Sequence, residues 1–434
     1  MEKKVYLESL GCPKNLVDSE IMIGSLLTKG YTVTTDKTEA DVVVVNTCGF
    51  LEASSRESIE TVVQLGQEKK KGAQLVVAGC LVQRYGQELA KGLKEADLLI
   101  GTDDYAKLGN LISEKLPERA YIHEPLYIPT AAMPRLLTDR VSTYVKIAEG
   151  CNHTCSFCII PKLRGRQRSR SIPDIRKEVE NLLNQGVKEI SLIAQDTTDY
   201  GNDLHNGTTI EKLLRELGKI EGDHWLRLMY AYPLRFSDEL VSIFKETPTL
   251  CKYIDIPFQH SSDRLLQSMH RGSNSRYIWS IIERLRKEIP QMTIRSTFIV
   301  GYPGETDKDF EGLCRFIREA ELERVGVFAF SIEEGTEAAL LPNQVPDSVK
   351  KERKGALMEL QQKISLKKNR ALIGKSLKAI REKNHARLEN QAPEIDGVVK
   401  LKGKGVMNHT PTKNPFITVE ITSADPYDLV GCIV

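Results

Sequence analysis

Apolar positions along residues 1–118 alternate between two rhythms. Short runs rich in valine, isoleucine and leucine, at 4–8, 41–46, 74–78 and 98–100, read as strands. The stretches between them, at 16–27, 54–70 and 82–94, repeat apolar residues at the helical period. Such alternation predicts a doubly wound parallel sheet with helices on both faces, an α/β domain. Prolines 117, 125, 129 and 134 then punctuate a stretch without periodicity, and a linker is expected over 119–136. A second alternation follows. Its predicted strands are 143–148, 189–194, 225–230, 253–256, 293–300 and 325–330, with helices at 174–185, 210–217, 238–246, 263–270, 276–287 and 307–319. Six units fall short of a closed eight-fold barrel, so an open (β/α)6 partial barrel is expected over 137–367, with functional residues at the carboxyl ends of its strands. A long helical stretch, 347–373, closes that region. Over 368–434 helical periodicity stops and short β-type runs at 376–380, 397–401, 416–421 and 428–434 predict a small antiparallel barrel.

Composition narrows the function classes. The 434 residues carry 61 Lys+Arg against 59 Asp+Glu, so net charge names no partner. No run of ~18 apolar residues predicts a membrane span. The first residues do not form an export signal, and the nine cysteines are odd in number. Reduced thiols in the cytoplasm are therefore expected rather than a disulfide framework.

The cysteine spacing carries the chemistry. Cys151, Cys155 and Cys158 form CxxxCxxC directly after the first predicted strand of the second region. Three thiolates on a short loop can hold three irons of a cubic cluster, leaving the fourth open. No further cysteine follows until Cys251, which disfavours a closed zinc site. His153, inside the loop, is assigned no role. Cys12, Cys48 and Cys80 each follow a predicted strand of the first sheet, beside Gly11, Gly49 and Gly79. Alone, each reads as a buried thiol. Together, at strand ends that share one sheet edge, they read as a second three-cysteine site.

CxxxCxxC at the end of the first strand of a partial barrel resembles the radical S-adenosylmethionine superfamily. The contexts Gly11-Cys12-Pro13-Lys14-Asn15, Asn46-Thr47-Cys48-Gly49 and Gly79-Cys80 add a likeness to its methylthiotransferase family over nearly the whole chain. Pro13-Lys14 and the stretch Cys158-Ile159-Ile160-Pro161 resemble the RimO branch; the tRNA-modifying MiaB branch has Gly-Cys-Gln-Met-Asn at the first of these places. The resemblance implies a transferase with two 4Fe-4S clusters, one on Cys12, Cys48 and Cys80 and one on Cys151, Cys155 and Cys158. S-adenosylmethionine would serve as methyl donor and as radical source, and no catalytic residue is expected beyond the cluster ligands. The implied reaction is methylthiolation of the β-carbon of an aspartate in ribosomal protein S-twelve, free or in the small subunit; a tRNA adenosine is the alternative. An electron donor such as flavodoxin or ferredoxin is implied, and the last domain is TRAM-like. Gln195 and Asp196 stand where the superfamily usually has a Gly-Gly-Glu-like turn, and the loop with Gly301 and Gly304 resembles the adenine side. These four are the expected S-adenosylmethionine contacts.

Two basic features stay open. Lys162, Arg164, Arg166, Arg168 and Arg170 read as a solvated loop, as a contact with ribosomal RNA, or as partners for a substrate or cofactor carboxylate. Residues 370–434 have ten Lys+Arg against seven Asp+Glu but only Phe416 and Tyr427 as aromatics, so RNA stacking is weakly signalled.

Overall fold

The structure, a computed structural model, describes residues 2–114, 118–403 and 414–434. Its first part is a six-stranded, wholly parallel sheet. Across it run Tyr31–Val33, Lys3–Ser9, Val42–Thr47, Gln74–Gly79, Leu98–Ile100 and Ala120–Tyr121. Val42 to Val45 are buried on both faces of the sheet, which is why an uninterrupted valine run suits this strand. Strand order reverses between Lys3–Ser9 and Val42–Thr47, which opens a crevice beyond their carboxyl ends. The pair Ala120–Tyr121, too short to show periodicity, lies in the stretch expected to be a linker and completes the sheet edge. Pro117 lies outside the described residues.

The second part matches the expected open barrel. Ser142–Lys146, Glu189–Ile193, Trp225–Leu228, Leu250–Asp255, Thr293–Val300 and Arg324–Ala329 pair in chain order, all parallel. Helices Ile172–Asn184, Ile210–Leu217, Asp238–Glu246, Ser275–Glu288 and Asp307–Ala320 alternate with them. Each starts at a Ser, Thr or Asn whose side-chain oxygen accepts an N–H of the first turn: Ser171, Thr209, Ser237, Asn274 and Thr306. The long helix Asp347–Arg370 lies along the edge strand Arg324–Ala329, and helix Pro13–Leu27 of the first part packs beside the opposite edge strand, Ser142–Lys146.

The third part is a closed five-stranded barrel of Ser376–Glu382, His385–Leu388, Val399–Lys402, Leu429–Ile433 and Phe416–Ala424. It is antiparallel as expected except where Val399–Lys402 runs parallel to Leu429–Ile433. This barrel docks on the amino ends of the core strands. Buried Arg387 pairs with Glu189 and donates to Ser142 Oγ at 2.6 Å, and Tyr253 Oη donates to Asp396 at 2.7 Å. Trp225 meets Phe416 edge-on at 5.1 Å between ring centroids. The carboxyl ends of the core strands, opposite, are left to face the first sheet. No helix among the described residues is long and apolar enough to cross a membrane.

Candidate active site

The first cysteine set sits at three loops that touch. Cys12 caps helix Pro13–Leu27, Cys48 follows strand Val42–Thr47, and Cys80 opens helix Cys80–Gly92. A Cβ on Gly11, whose φ is +95°, would lie 2.9 Å from the Cys48 Cβ. One on Gly49 would lie 2.8 Å from the Cys80 carbonyl oxygen. Glycine beside each cysteine is thus what lets the loops close on one another.

The second set lies on one loop of the core. Cys151 N donates to Gly165 O at 3.1 Å, and Cys158 N donates to Cys155 O at 3.0 Å. Gly150, at φ +81°, has the Arg166 carbonyl oxygen 2.1 Å from where a Cβ would stand. Gly150→Ala is therefore expected to push the loop off its return strand. Iron bound at Cys151, Cys155 and Cys158 should fall by at least half on anaerobic reconstitution, as iron analysis would show, while Gly312→Ala, on helix Asp307–Ala320 with open space around it and an ordinary φ, should keep its iron.

All six cysteines line a single cavity of about 700 Å³ between the first sheet and the barrel mouth. All nine cysteines of the chain are free. Burial pushes the Cys80 and Cys151 thiols up to about 11 and the Cys158 thiol up to about 12, and raises Cys48 as well. At neutral pH these groups are thiols, and a metal must displace their protons to bind. Among the described residues, the one trio of metal-ligating atoms mutually within 4.8 Å is Asp103, Asp104 and His123. Neither cysteine set is that tight. A tetrahedral zinc site with ~2.3 Å bonds would hold its sulfurs about 3.8 Å apart. The three-thiolate donor sets, each short of the fourth protein ligand that a closed zinc site takes, fit cubic iron–sulfur clusters with one open iron.

The other expected contacts separate. Gln195 lines the cavity; its Nε2 donates to Glu149 at 2.5 Å, and its Oε1 is buried without a partner. Asp196 does not line the cavity. Its carboxylate holds His153 Nε2 at 2.6 Å and accepts the Thr198 N–H at 2.8 Å. It thereby braces His153, which stacks on Tyr232 at 3.8 Å, and both rings face the cavity. Gly301 and Gly304 lie outside the lining: the Gly301 N–H donates to the Glu305 carboxylate, and the Gly304 N–H donates to Asn343 O at 2.8 Å. Gln259 and Arg271 are lining residues with orphaned buried atoms, Oε1 and Nε. Arg271 also reaches Cys155 Sγ at 3.5 Å.

The basic stretch has divided fates. Lys162 and Arg166 are exposed, whereas Arg170 is buried against Asp174 and Glu178. Arg164 is buried between the cysteine sets. It donates to Asn15 Oδ1 at 2.6 Å, Asp18 at 2.8 Å and Cys80 Sγ at 3.3 Å. Beside it the buried Lys146 ammonium bridges Asp18 at 2.5 Å and Glu149 at 2.6 Å. These four charges weld the first sheet's helix to the core strand that leads into the cysteine loop. Sequence periodicity gave no sign of them, because their partners lie in distant segments.

An open parallel barrel with a three-cysteine loop at its mouth defines a radical S-adenosylmethionine fold, and the comparisons agree. The Radical SAM superfamily matches residues 145–317, Uncharacterized protein family UPF0004 matches 4–101, and the TRAM domain matches 370–434. The ribosomal protein uS12 methylthiotransferase RimO of Anaeromyxobacter sp. (strain K) is 46% identical over 100% of this chain and 94% of its own length. The protein of that name from Geobacter sulfurreducens is 43% identical, covering 100% of this chain and 99% of its own. Among solved structures, the radical S-adenosylmethionine methyltransferase TsrM from Kitasatospora setae, with cobalamin and a 4Fe-4S cluster bound, shares the fold. Its TM-score is 0.57 at 17% identity, over 76% of this chain and 75% of that one. The chain belongs to the RimO family of ribosomal protein uS12 methylthiotransferases, within the radical S-adenosylmethionine superfamily.

Proposed function

We propose that this chain transfers a methylthio group to the β-carbon of an aspartate in ribosomal protein uS12. The observation that carries this reading is the one cavity shared by both cysteine sets. Cys151, Cys155 and Cys158 would hold one 4Fe-4S cluster, and Cys12, Cys48 and Cys80 a second. Bound there, the clusters supply one-electron reduction of S-adenosylmethionine at the first and a sulfur donor at the second, the radical chemistry that a C–H bond without an acidic proton demands. The chain's own residues position and enclose. Gln195 and Gln259 offer unpartnered carbonyl oxygens to the ammonium of S-adenosylmethionine, and Arg271 offers an unpartnered N–H to its carboxylate. Asp196 acts through His153, holding the ring against Tyr232. Gly301 and Gly304 shape the turn after the fifth core strand, from outside the lining. The walls include Phe50, Phe157 and the half-exposed Phe328, apolar surface against which a substrate could close the cavity over a reaction that water would quench.

The division of labour assigns the sulfur donor to 1–118 with the strand Ala120–Tyr121, the linker to the rest of 119–136, radical generation to 137–367, and a TRAM barrel set away from the cavity to 368–434. A cytoplasmic location, a flavodoxin or ferredoxin as electron donor, and uS12 either free or within the small subunit complete the reading. The test is a mass measurement. Reconstituted enzyme, dithionite and S-adenosylmethionine are incubated with uS12, and the tryptic aspartate peptide should gain the mass of a methylthio group replacing hydrogen. An unmodified peptide, with tRNA adenosine modified under the same conditions, overturns the proposal in favour of the tRNA substrate.

A further inference from the structure

Lys14 stands in the first turn of helix Pro13–Leu27, two residues past Cys12, on the cavity wall. Its Nζ lies 3.1 Å from the centre of the Tyr230 ring. Among the described residues, no carboxylate oxygen lies within 4.0 Å of this ammonium. The nearby acids are already committed: Asp255 to Arg295 at 3.0 Å, and Glu149 to Lys146 at 2.6 Å and Gln195 at 2.5 Å. A ring face attracts a cation but does not neutralise it. The cavity therefore presents, beside the Cys12 thiol, an ammonium without a carboxylate partner among the described residues.

The platform under it is strained. Tyr230 follows strand Trp225–Leu228 with φ +61°, a left-handed conformation unusual for a bulky side chain. Another cavity residue at a core strand end, Gln259, has φ +74°. Strain held by the surroundings at a site marks a geometry with a use. Here it keeps the Tyr230 ring beneath Lys14 in the shared cavity.

We infer that Lys14, seated on Tyr230, is the specificity-determining residue that receives the side-chain carboxylate of the substrate aspartate. The inference rests on the aspartate substrate proposed above. It also accounts for the position of the reaction. The β-carbon of aspartate is bonded directly to its carboxylate carbon, so capturing the carboxylate fixes the β-carbon two covalent bonds beyond the oxygen that the ammonium holds. Lys14 adjoins Cys12, and the captured carbon would sit on the sulfur-donor side of the cavity. A neutral amide of the same shape offers Lys14 no charge to pair with.

Two synthetic peptides spanning the target site of uS12, one with aspartate and one with asparagine at the modified position, test this by anaerobic fluorescence anisotropy on the reconstituted enzyme. The unaltered enzyme should bind the aspartate peptide about tenfold more tightly, the size of one charge-assisted contact. Lys14→Met should bring the ratio near one, and Lys14→Arg should keep most of it; iron content measured on the same samples separates cluster loss from lost recognition. Lys14→Gln repeats the test if the methionine variant does not fold. A neutral variant that keeps its iron and the full preference for aspartate overturns the role of Lys14. Unaltered enzyme that binds the two peptides equally overturns the inference, whereas failure of the substrate reading shows separately, as an unmodified aspartate peptide in the mass measurement on uS12.

Discussion

Changing Cys12, Cys48 and Cys80 together to alanine is expected to remove about four irons from the anaerobically reconstituted protein, and changing Cys151, Cys155 and Cys158 a separate four. Each set has its own loops. The first is spread over three strand ends of the first sheet, the second confined to one loop of the core. Removal of one set leaves the backbone that holds the other intact, so the losses should add. Reductive cleavage of S-adenosylmethionine should vanish in the second triple and persist in the first. Iron analysis with electron paramagnetic resonance on the reduced samples reads both effects. Loss of all iron from either triple would mean one shared site, and tightly bound zinc in place of iron would mean that the donor-set argument fails.

The features that the sequence made legible are those whose physics is local. A cluster loop needs thiols a few residues apart, and a parallel sheet aligns its strand ends, so six ligand candidates could be placed by counting. Residues that act across segments were hidden. Arg164 belonged to a run of cations that reads equally well as a solvated loop, and its partners Asn15, Asp18 and Cys80 lie far back in the chain. Strand-end polarity marked both Gln195 and Asp196 as ligand contacts, but polarity alone does not separate a residue that faces a cavity from one that braces a neighbour. The Gly301–Gly304 turn has the glycines of a ligand loop, and the Gly301 N–H is directed to Glu305. Trp225 reads as core from its apolar surroundings; it is buried, and its ring also meets Phe416 where the last barrel docks.

The buried charge group predicts the largest loss of stability. Lys146 is wholly buried and sits between two carboxylates, Asp18 from the first part of the chain and Glu149 from its own loop. Burial opposes ionisation of Glu149, but the charges of Lys146 and Arg164 outweigh it and hold the carboxyl well below its usual range. Lys146→Met keeps the length and apolar stem but leaves two buried carboxylates facing one guanidinium, with Arg164 2.8 Å from Asp18 and 3.6 Å from Glu149. Breaking one side of such a group costs about 3–5 kcal/mol, because the remaining charge stays buried and uncompensated. Denaturant unfolding should show that loss. The group joins the first sheet to the core, so in the variant the unfolding of the first sheet should move to lower denaturant than that of the barrel. Adding Asp18→Asn should recover part of the loss by removing one uncompensated charge. A Lys146→Met protein within about 1 kcal/mol of the unaltered chain would show that water or rearrangement satisfies these carboxylates. In that case the weld between the cysteine-bearing halves would have to be sought in other buried pairs that join them, such as Arg84 with Glu333 at 2.8 Å or Arg135 between Glu20 and Glu178.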